Sequence, residues 1–336
     1  MTPGRPTVVL AMRPGLPQHL FDADTRALLD AVADVDWDVV VEDVGAPGAR
    51  EHLRRAEVLL TGWGSPRIDA AVLDLAPGLG AIVHAAGSVK GHVDPVCWTR
   101  GLVVSTAADA NALPVAEYTL AMIIVSGKRL LEADRRYRQE RVVIRPEALG
   151  DLGNYRTCVG LVGASRIGRR VLELLRPFDF RVRLYDPTIE AAEADALGAQ
   201  LCGLDELMAA SDIVSLHVPA IPATRHLVDG DRLALMRDGA TLINTARGSV
   251  VDTAALTAEL VSGRLTAVLD VTDPEPLDPQ SPLYGLPNVL LTPHVAGAVG
   301  NEVFRLGRWA AEETRRYLRG EGFLAPVGLA DLERMA

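Results

Sequence analysis

Three side chains with acid–base or anion-binding chemistry follow β-like runs in the second half of the chain: Arg247, Glu275 and His294. The carboxyl ends of parallel strands meet at one edge of a sheet, so the three are expected to face one crevice. An arginine fork suits a planar carboxylate, and a histidine beside a glutamate suits proton transfer near neutral pH. Singly, each has an ordinary reading as a surface ion pair, a loop acid or a strand-end histidine. Their joint occurrence favours a catalytic site.

A glycine-rich turn precedes these residues, between an apolar run that begins at Thr157 and an amphipathic stretch. The turn reads Gly163-Ala164-Ser165-Arg166-Ile167-Gly168, and a second β-like run ends at Asp186, 18 residues after the last glycine. A dinucleotide-binding βαβ unit places its ribose acceptor ~20 residues on, with the pyrophosphate at the helix N-terminus. Arg166 adds a cation, and Asp186 repels a 2′-phosphate, so NAD is favoured over NADP. The alternative is an ordinary strand–turn–helix with a surface aspartate.

Ser165 occupies the position where the G-x-G-x-x-G pattern has its second glycine. That glycine lets the backbone approach the pyrophosphate closely. A Cβ at Ser165 is expected to crowd the phosphates, whereas its hydroxyl offers them a hydrogen bond.

The elements that must position these groups alternate between β-like and helical patterns. The β-like runs are Thr7–Met12, Val39–Val44, Val58–Thr61, Ala81–His84, Val103–Ser105, Val182–Tyr185, Ile213–His217, Thr241–Thr245, Ala267–Val271 and Val289–Thr292. Helical patterns cover Asp24–Ala33, Pro47–Ala56, Ile68–Leu75 and Glu302–Arg319. Such alternation predicts parallel, doubly wound sheets. The loops Thr61–Gly64 and Ala85–Gly91 are therefore better ligand candidates than the helices.

The character of the chain changes near Asn111. Asn111 is expected to cap a helix that carries Pro114 in its first turn and runs to about Arg136. Residues Gln139–Asn154 lack periodicity, which predicts an irregular connection.

The composition of the 336 residues is that of a soluble globular protein with a formal net charge of −10. This charge argues against a nucleic-acid partner.

The most apolar helical stretch, Val115–Val125, is too short for a bilayer, which needs ~20 residues. No signal peptide is expected. We therefore predict a cytoplasmic protein without a membrane partner. Cys97, Cys158 and Cys202 lack metal or redox spacing, so we predict buried, inert thiols and no metal site.

The chain resembles the D-isomer-specific 2-hydroxyacid dehydrogenases over nearly its whole length, most clearly from Asn111 to Gly297. The resemblance rests on an ordered set of motifs, which are Asn111…Val115-Ala116-Glu117, Gly163-x-x-Arg166-Ile167-Gly168, Leu216-His217-Val218-Pro219 with Thr224, Asn244-Thr245-Ala246-Arg247-Gly248, Leu269-Asp270-Val271…Glu275-Pro276 and Thr292-Pro293-His294.

The resemblance implies hydride transfer between NAD and C2 of a 2-keto or D-2-hydroxy acid. Arg247 would hold the substrate carboxylate, His294 would exchange a proton with the C2 oxygen, and Glu275 would bind the other ring nitrogen. Cofactor contacts would come from Ser88, Gly163, Ser165, Arg166, Ile167, Gly168, Asp186, Val218, Pro219, Thr224, Thr245, Ala246, Asp270 and Gly297.

The family architecture also implies two doubly wound parallel-sheet domains, with a Rossmann NAD-binding domain inserted into a flavodoxin-like substrate domain. The expected boundaries are 1–109 with 298–336 for the substrate domain and 110–297 for the NAD domain. Closure between the domains would exclude water from the hydride path. The helix from Asn111 resembles the element through which the family dimerises, so a homodimer is expected.

The substrate loop Gly87-Ser88-Val89-Lys90-Gly91 departs from the family pattern. Its first four residues, with Arg247 and His294, are the expected substrate contacts. Lys90 is expected either to reach a second anionic group of the substrate or to be a solvated lysine.

Two other functions fit the sequence less well. One is a dinucleotide-sensing, corepressor-like binding protein with little turnover, which Ser165 and the altered loop favour and the intact Arg247, Glu275 and His294 oppose. The other is a dehydrogenase of the formate or phosphonate type, whose substrates lack a C2 carbonyl; nothing near Trp63 or Lys90 decides between these and 2-keto acids.

Overall fold

The structure is a computed structural model that describes residues 4–143, 145, 152–333 and 335. Contacts between Cα atoms divide the chain into two compact units. The first unit comprises Met1–Asn111 and Ala298–Met335, and the second comprises Ala112–Gly297.

The first unit contains a five-stranded sheet. Its elements up to the crossing are β1 (Thr7–Ala11), α1 (Leu16–Leu20), α2 (Ala23–Asp30), β2 (Asp34–Val40), α3 (Ala49–Arg55), β3 (Val58–Thr61), α4 (Ala70–Leu75), β4 (Ala81–His84), α5 (Val96–Thr99) and β5 (Val103–Thr106). The strand order is β2-β1-β3-β4-β5 with every pair parallel. This is the flavodoxin-like order.

The second unit contains a seven-stranded sheet. Its elements are α6 (Ala108–Gly127, which begins before the boundary), α7 (Leu130–Glu140), β6 (Cys158–Val162), α8 (Arg166–Leu175), β7 (Arg181–Tyr185), α9 (Ala191–Ala196), β8 (Gln200–Leu201), α10 (Leu204–Ala210), β9 (Ile213–Leu216), α11 (Gly230–Leu235), β10 (Thr241–Asn244), α12 (Thr253–Val261), β11 (Thr266–Leu269) and β12 (Val289–Leu291). The strand order is β12-β11-β10-β9-β6-β7-β8, again with every pair parallel. The order reverses between β6 and β9, which is where a doubly wound sheet binds its ligand. The predicted fold of two doubly wound parallel sheets is confirmed.

The central strands form because most of their residues are apolar and both faces of the strands are buried. Every residue of β3, β4, β9 and β10 is buried. The chain returns to the first unit in α13 (Val303–Leu318), which packs Leu306, Ala310 and Ala311 into the core of that unit.

The predicted long helix from Asn111 to Arg136 is wrong in its start and in its continuity. The helix α6 begins at Ala108, whose N–H is held by the hydroxyl of Thr106 at 3.3 Å. Asn111 therefore lies inside the helix, and its Oδ1 instead accepts a hydrogen bond from the N–H of Ala298 at 3.0 Å. Pro114 likewise lies inside α6 rather than in its first turn. The helical pattern is interrupted where Arg129 adopts the left-handed conformation with φ 44°, so α7 is a separate helix.

The predicted strand Val39–Val44 is also misplaced, because β2 spans Asp34–Val40. It is an edge strand whose aspartates alternate with partly buried valine and tryptophan. Such a half-exposed edge has the period-2 pattern of a strand but no continuous apolar run. The irregular connection predicted for Gln139–Asn154 falls partly outside the described residues, and α7 extends into it as far as Glu140.

Two expectations about buried apolar segments need correction. The helix that contains Val115–Val125 has 20 residues, so by length and composition alone α6 is long enough to cross a membrane. Ala116 and Ile123 of α6 pack into the core of the second unit, as in the core helix of a globular domain. Of the three thiols, Cys97 is buried, and burial raises its pKa to about 11. Cys158 and Cys202 are only half-buried.

Candidate active site

The carboxyl ends of four neighbouring strands of the second unit are aligned. Asn244 at the end of β10 pairs with Leu216 of β9 and Leu269 of β11, and Leu269 pairs with Leu291 of β12. The loops after these strands therefore leave the sheet at a single edge. Arg247, Glu275 and His294 all belong to these loops.

The glycine-rich turn joins β6 to α8 with very little space for side chains. Gly163 has φ +104°, and a Cβ there would lie 2.8 Å from the carbonyl oxygen of His217. A Cβ on Gly168 would lie 2.1 Å from the carbonyl oxygen of Gly163. Both positions thus require glycine, one for the turn and one for the close approach of helix and strand. Ser165 is the N-cap of α8, and its Oγ accepts from the N–H of Gly168 at 3.3 Å.

Asp186 follows β7 and is tied to this turn. Its Oδ2 accepts from the N–H of Ala164 at 2.7 Å, and its Oδ1 accepts from the N–H and the hydroxyl of Thr188 at 2.8 and 2.6 Å. Burial alone would raise the pKa of this carboxyl, but these hydrogen bonds and the charge of Arg169 outweigh burial and lower the pKa. Asp186 is therefore ionised at neutral pH.

Arg247 is held by the loop after β10. Asn244 organises this loop, because its amide nitrogen donates to the carbonyl of Arg247 at 2.9 Å and its Oδ1 accepts from the N–H of Ala246 at 3.0 Å. A Cβ on Gly248 would lie 2.0 Å from the carbonyl carbon of Thr272, so the loops after β10 and β11 touch here. Burial lowers the pKa of the Arg247 guanidinium, and the carboxylate of Glu275 opposes that shift. The guanidinium stays charged, because an arginine side chain is not deprotonated in proteins.

His294 and Glu275 are in direct contact. Nδ1 of His294 lies 2.8 Å from Oε1 of Glu275, and both side chains are about half exposed. The backbone of His294 is in the left-handed region with φ 56°, and its N–H donates to the carbonyl oxygens of Asp270 and Thr292. The arrangement fixes the ring by one nitrogen and leaves Nε2 without a partner among the described residues.

Asp270, which the resemblance assigns to the cofactor, is buried beneath the His294 loop. Its carboxylate accepts from the hydroxyl of Thr292 at 2.6 Å and from the N–H groups of Val295 and Ala296 at 2.8 and 2.9 Å. The carboxylate thus organises the loop, whatever further contact it makes.

The other residues expected to bind the cofactor are spread over the same unit. Thr224 holds the loop after β9, because its hydroxyl donates to the carbonyl of Pro219 and accepts from the N–H of Ile221. Ile167 packs against the core behind the turn. Val218, Thr245 and Ala246 are buried, and Gly297 is partly buried. The hydroxyl of Thr245 makes a hydrogen bond with the hydroxyl of Thr119.

The loop expected to bind substrate lies in the first unit. Val89 is fully buried in the core there, which leaves its backbone for the expected contact with substrate, and this contact stays a prediction. Gly87 and Ser88 are partly buried. Lys90 is exposed, and its Nζ donates to the carbonyl of Met335 at 3.2 Å, so both of the roles expected for it stay predictions.

Sequence reasoning missed two hydroxyl residues of α6 that reach the site loops. Tyr118 Oη lies 2.9 Å from Thr292 Oγ1, and Thr119 Oγ1 lies 3.2 Å from Thr245 Oγ1. Their only signal is a pair of hydroxyls in a mostly apolar helical stretch.

The sequence model of the D-isomer specific 2-hydroxyacid dehydrogenase NAD binding domain matches residues 120–296, more than half of the chain. The chain belongs to the D-isomer-specific 2-hydroxyacid dehydrogenases. A glyoxylate reductase of Aeropyrum pernix is 34% identical over 296 residues, which cover 85% of this chain and 88% of that protein. A D-3-phosphoglycerate dehydrogenase of Mycobacterium tuberculosis is 36% identical over 256 residues, 76% of this chain but only 48% of that protein. This chain thus matches about half the length of that relative.

Solved structures agree with this membership. A D-lactate dehydrogenase of Aquifex aeolicus, solved with NAD and lactic acid, superposes with a TM-score of 0.70 at 26% identity and covers 95% of this chain and 99% of its own. As a member of the D-2-hydroxyacid dehydrogenases, the protein is an NAD-dependent oxidoreductase. The tight turn at Gly163, the N-terminus of α8 and the ionised Asp186 fit a dinucleotide.

Proposed function

We propose that the enzyme interconverts a 2-keto acid and a D-2-hydroxy acid, acting as a reductase, with His294 as the acid and base. The contact between His294 Nδ1 and Glu275 Oε1 at 2.8 Å carries this proposal. A carboxylate only accepts hydrogen bonds, so Nδ1 holds a hydrogen, and Nε2 is the ring atom left to exchange a proton with the substrate oxygen. Glu275 also holds the ring in one orientation through this contact.

Arg247 is proposed to bind the substrate carboxylate and polarise the C2 oxygen. Its guanidinium is mostly withdrawn from solvent but remains charged, which strengthens its interaction with an anion. The fork geometry allows two parallel hydrogen bonds to one carboxylate.

Bound NADH supplies the hydride for reduction, and the protein positions it. We propose that the residues of the turn and Asp186 hold the dinucleotide, with Val218, Pro219, Thr224, Thr245, Ala246, Asp270 and Gly297 lining the remainder. An ionised Asp186 suits the two ribose hydroxyls of NAD and disfavours a 2′-phosphate.

We assign the first unit the role of substrate domain and the second unit that of cofactor domain. Gly87, Ser88 and Lys90 remain candidates for contacts with substrate, and Ser88 for contact with the cofactor. Val89 contributes only its backbone.

A homodimer in the cytoplasm is proposed for the whole protein, with neither nucleic acid nor membrane as partner. Large apolar side chains are exposed on α7 and just after it, at Leu130, Tyr137, Val142 and Val143. Light scattering coupled to gel filtration measures the mass directly, and a monomer at micromolar concentration would contradict the proposal.

The test of the activity is oxidation of NADH in the presence of a panel of 2-keto acids that includes glyoxylate, hydroxypyruvate and pyruvate. We expect turnover with at least one of them. Tight NADH binding with no turnover on the panel would indicate a dinucleotide sensor. Reduction of NAD with formate or phosphite alone would indicate the branch of the family that acts on substrates without a C2 carbonyl.

A further inference from the structure

Two consecutive residues of α6, Tyr118 and Thr119, reach different loops at the carboxyl edge of the second sheet. Tyr118 contacts the loop after β12 through Thr292, and Thr119 contacts the loop after β10 through Thr245. These are the loops that hold His294 and Arg247. A single rigid helix therefore touches both.

The hydrogen bonds on the His294 side have a fixed direction. The hydroxyl of Thr292 donates its only hydrogen to Asp270 Oδ1 at 2.6 Å, so in the 2.9 Å contact with Tyr118 the tyrosine must be the donor. Asp270 in turn accepts from the N–H groups that follow His294, and its carbonyl accepts from the N–H of His294 itself. Tyr118 is thus the first donor in a series of hydrogen bonds that runs through Thr292 and Asp270. This series holds the backbone immediately after His294.

The direction is also fixed on the Arg247 side. Thr119 donates its only hydrogen to the carbonyl of Val115 at 2.8 Å, so in the 3.2 Å contact Thr245 donates and Thr119 accepts. Thr119 and Thr245 are both buried, so water cannot readily replace either partner. Thr245 stands two residues before Arg247 in the loop organised by Asn244.

We propose that Tyr118 and Thr119 are positioning residues that set the placement of His294 and Arg247 respectively. This inference rests on the proposed function of those two side chains. Neither hydroxyl touches substrate or cofactor in this account. Each acts only through the loop that it holds.

The proposal predicts separate kinetic effects for two nearly isosteric changes. Tyr118→Phe loosens the His294 loop and should lower kcat about fivefold to tenfold with little change in the KM for the 2-keto acid, the size expected for one hydrogen bond. Thr119→Val loosens the Arg247 loop and should raise that KM by a similar factor with little change in kcat. Thr119→Ser restores the hydroxyl and should restore the KM.

Two matched controls lie in the same unit. Ser211 donates to the carbonyl of Leu207 at 2.7 Å, and Thr257 donates to the carbonyl of Thr253 at 2.7 Å, each one helical turn earlier. Ser211→Ala and Thr257→Val remove comparable hydroxyls away from the carboxyl edge of the sheet and should leave both kinetic constants within twofold of the wild type. If Tyr118→Phe and Thr119→Val behave like these controls, or if each changes kcat and KM together, the proposal is overturned.

Amide hydrogen exchange provides a readout that does not need turnover. Tyr118→Phe should speed exchange at Val295 and Ala296, and Thr119→Val should speed exchange at Ala246, each relative to its control. A wild-type enzyme inactive on every 2-keto acid would refute the proposed function, while the exchange rates would still decide whether the two hydroxyls hold the loops. Unchanged exchange at all three amides would refute the positioning roles.

Discussion

At Ser165 the chain places a hydroxyl and a Cβ where the dinucleotide pattern has a glycine. The hydroxyl accepts from the N–H of Gly168, one of the free groups that a helix N-terminus offers to a phosphate. With the dinucleotide bound as we propose, the side chain would compete with the pyrophosphate for this donor and would occupy space beside it.

We therefore expect Ser165→Gly to lower the Kd for NADH several-fold. The change should cost the helix only a few tenths of a kcal/mol, because glycine is a tolerated N-cap. Fluorescence titration of NADH measures the Kd. Ser165→Ala keeps the Cβ but frees the N–H of Gly168, so it separates crowding of the pyrophosphate by Cβ from competition of the hydroxyl for that N–H. Weaker binding by Ser165→Gly would instead identify the hydroxyl as a phosphate ligand.

The proposed role of Asp186 in the choice between NAD and NADP is tested at the same scale. Because its pKa is lowered, it is charged at neutral pH and repels a 2′-phosphate. The wild type should have a higher kcat/KM with NADH than with NADPH. In Asp186→Asn, the ratio of kcat/KM with NADH to kcat/KM with NADPH should fall at least tenfold. Glu190→Gln removes a nearby exposed charge and should leave the ratio unchanged. A wild-type preference for NADPH would contradict this role.

At the scale of elements, the buried strands could be predicted from the sequence, and the edges and helix ends could not. Val58–Thr61 and Ala81–His84 have the predicted bounds because continuous apolar runs bounded by polar loops leave little choice. The edge strand β2 is defined by its pairing with β1, which is distant in sequence, and no residue pattern marks the left-handed backbone at Arg129. The contact of His294 with Glu275 was anticipated from the family resemblance, whereas the contacts of Tyr118 and Thr119 depend on how α6 packs, which no local pattern reveals.

Gly248 tests the contact between the loops after β10 and β11. A methyl group there meets the backbone of Thr272 and Asp273, which cannot rotate away as a side chain can. We expect Gly248→Ala to lower the free energy of unfolding by roughly 2 kcal/mol or more, as overpacking does, and to raise the KM by displacing Arg247. Urea denaturation and steady-state kinetics measure the two effects. At Gly230 an added methyl meets only ordinary contact, so Gly230→Ala should be nearly neutral, and equal effects at the two sites would refute the account.

At the scale of the whole molecule, each unit buries a histidine that burial keeps neutral. Burial lowers the pKa of His84 in the first unit well below its ordinary value and lowers that of His217 in the second unit to about 3. The unfolded chain binds these protons below about pH 6.5, but the folded chain does not. Acid therefore favours unfolding, and for His217 the stability lost accumulates as the pH falls from about 6.5 towards 3.

Between pH 7 and pH 5, His217 alone should account for a loss of about 2 kcal/mol in the free energy of unfolding. Urea denaturation of the wild type and of His217→Gln at both pH values measures this contribution. The variant should lose about 2 kcal/mol less than the wild type over that interval. An equal loss in both proteins would show that His217 is protonated while folded.

The most direct test of the central claim is the turnover of His294→Asn. Asparagine tolerates the left-handed backbone at this position better than alanine does, so the variant keeps the loop but cannot exchange a proton. With the best 2-keto acid of the panel, we expect kcat to fall by at least a hundredfold while the Kd for NADH stays within about twofold. Turnover close to that of the wild type would contradict the assignment of His294 as the acid and base.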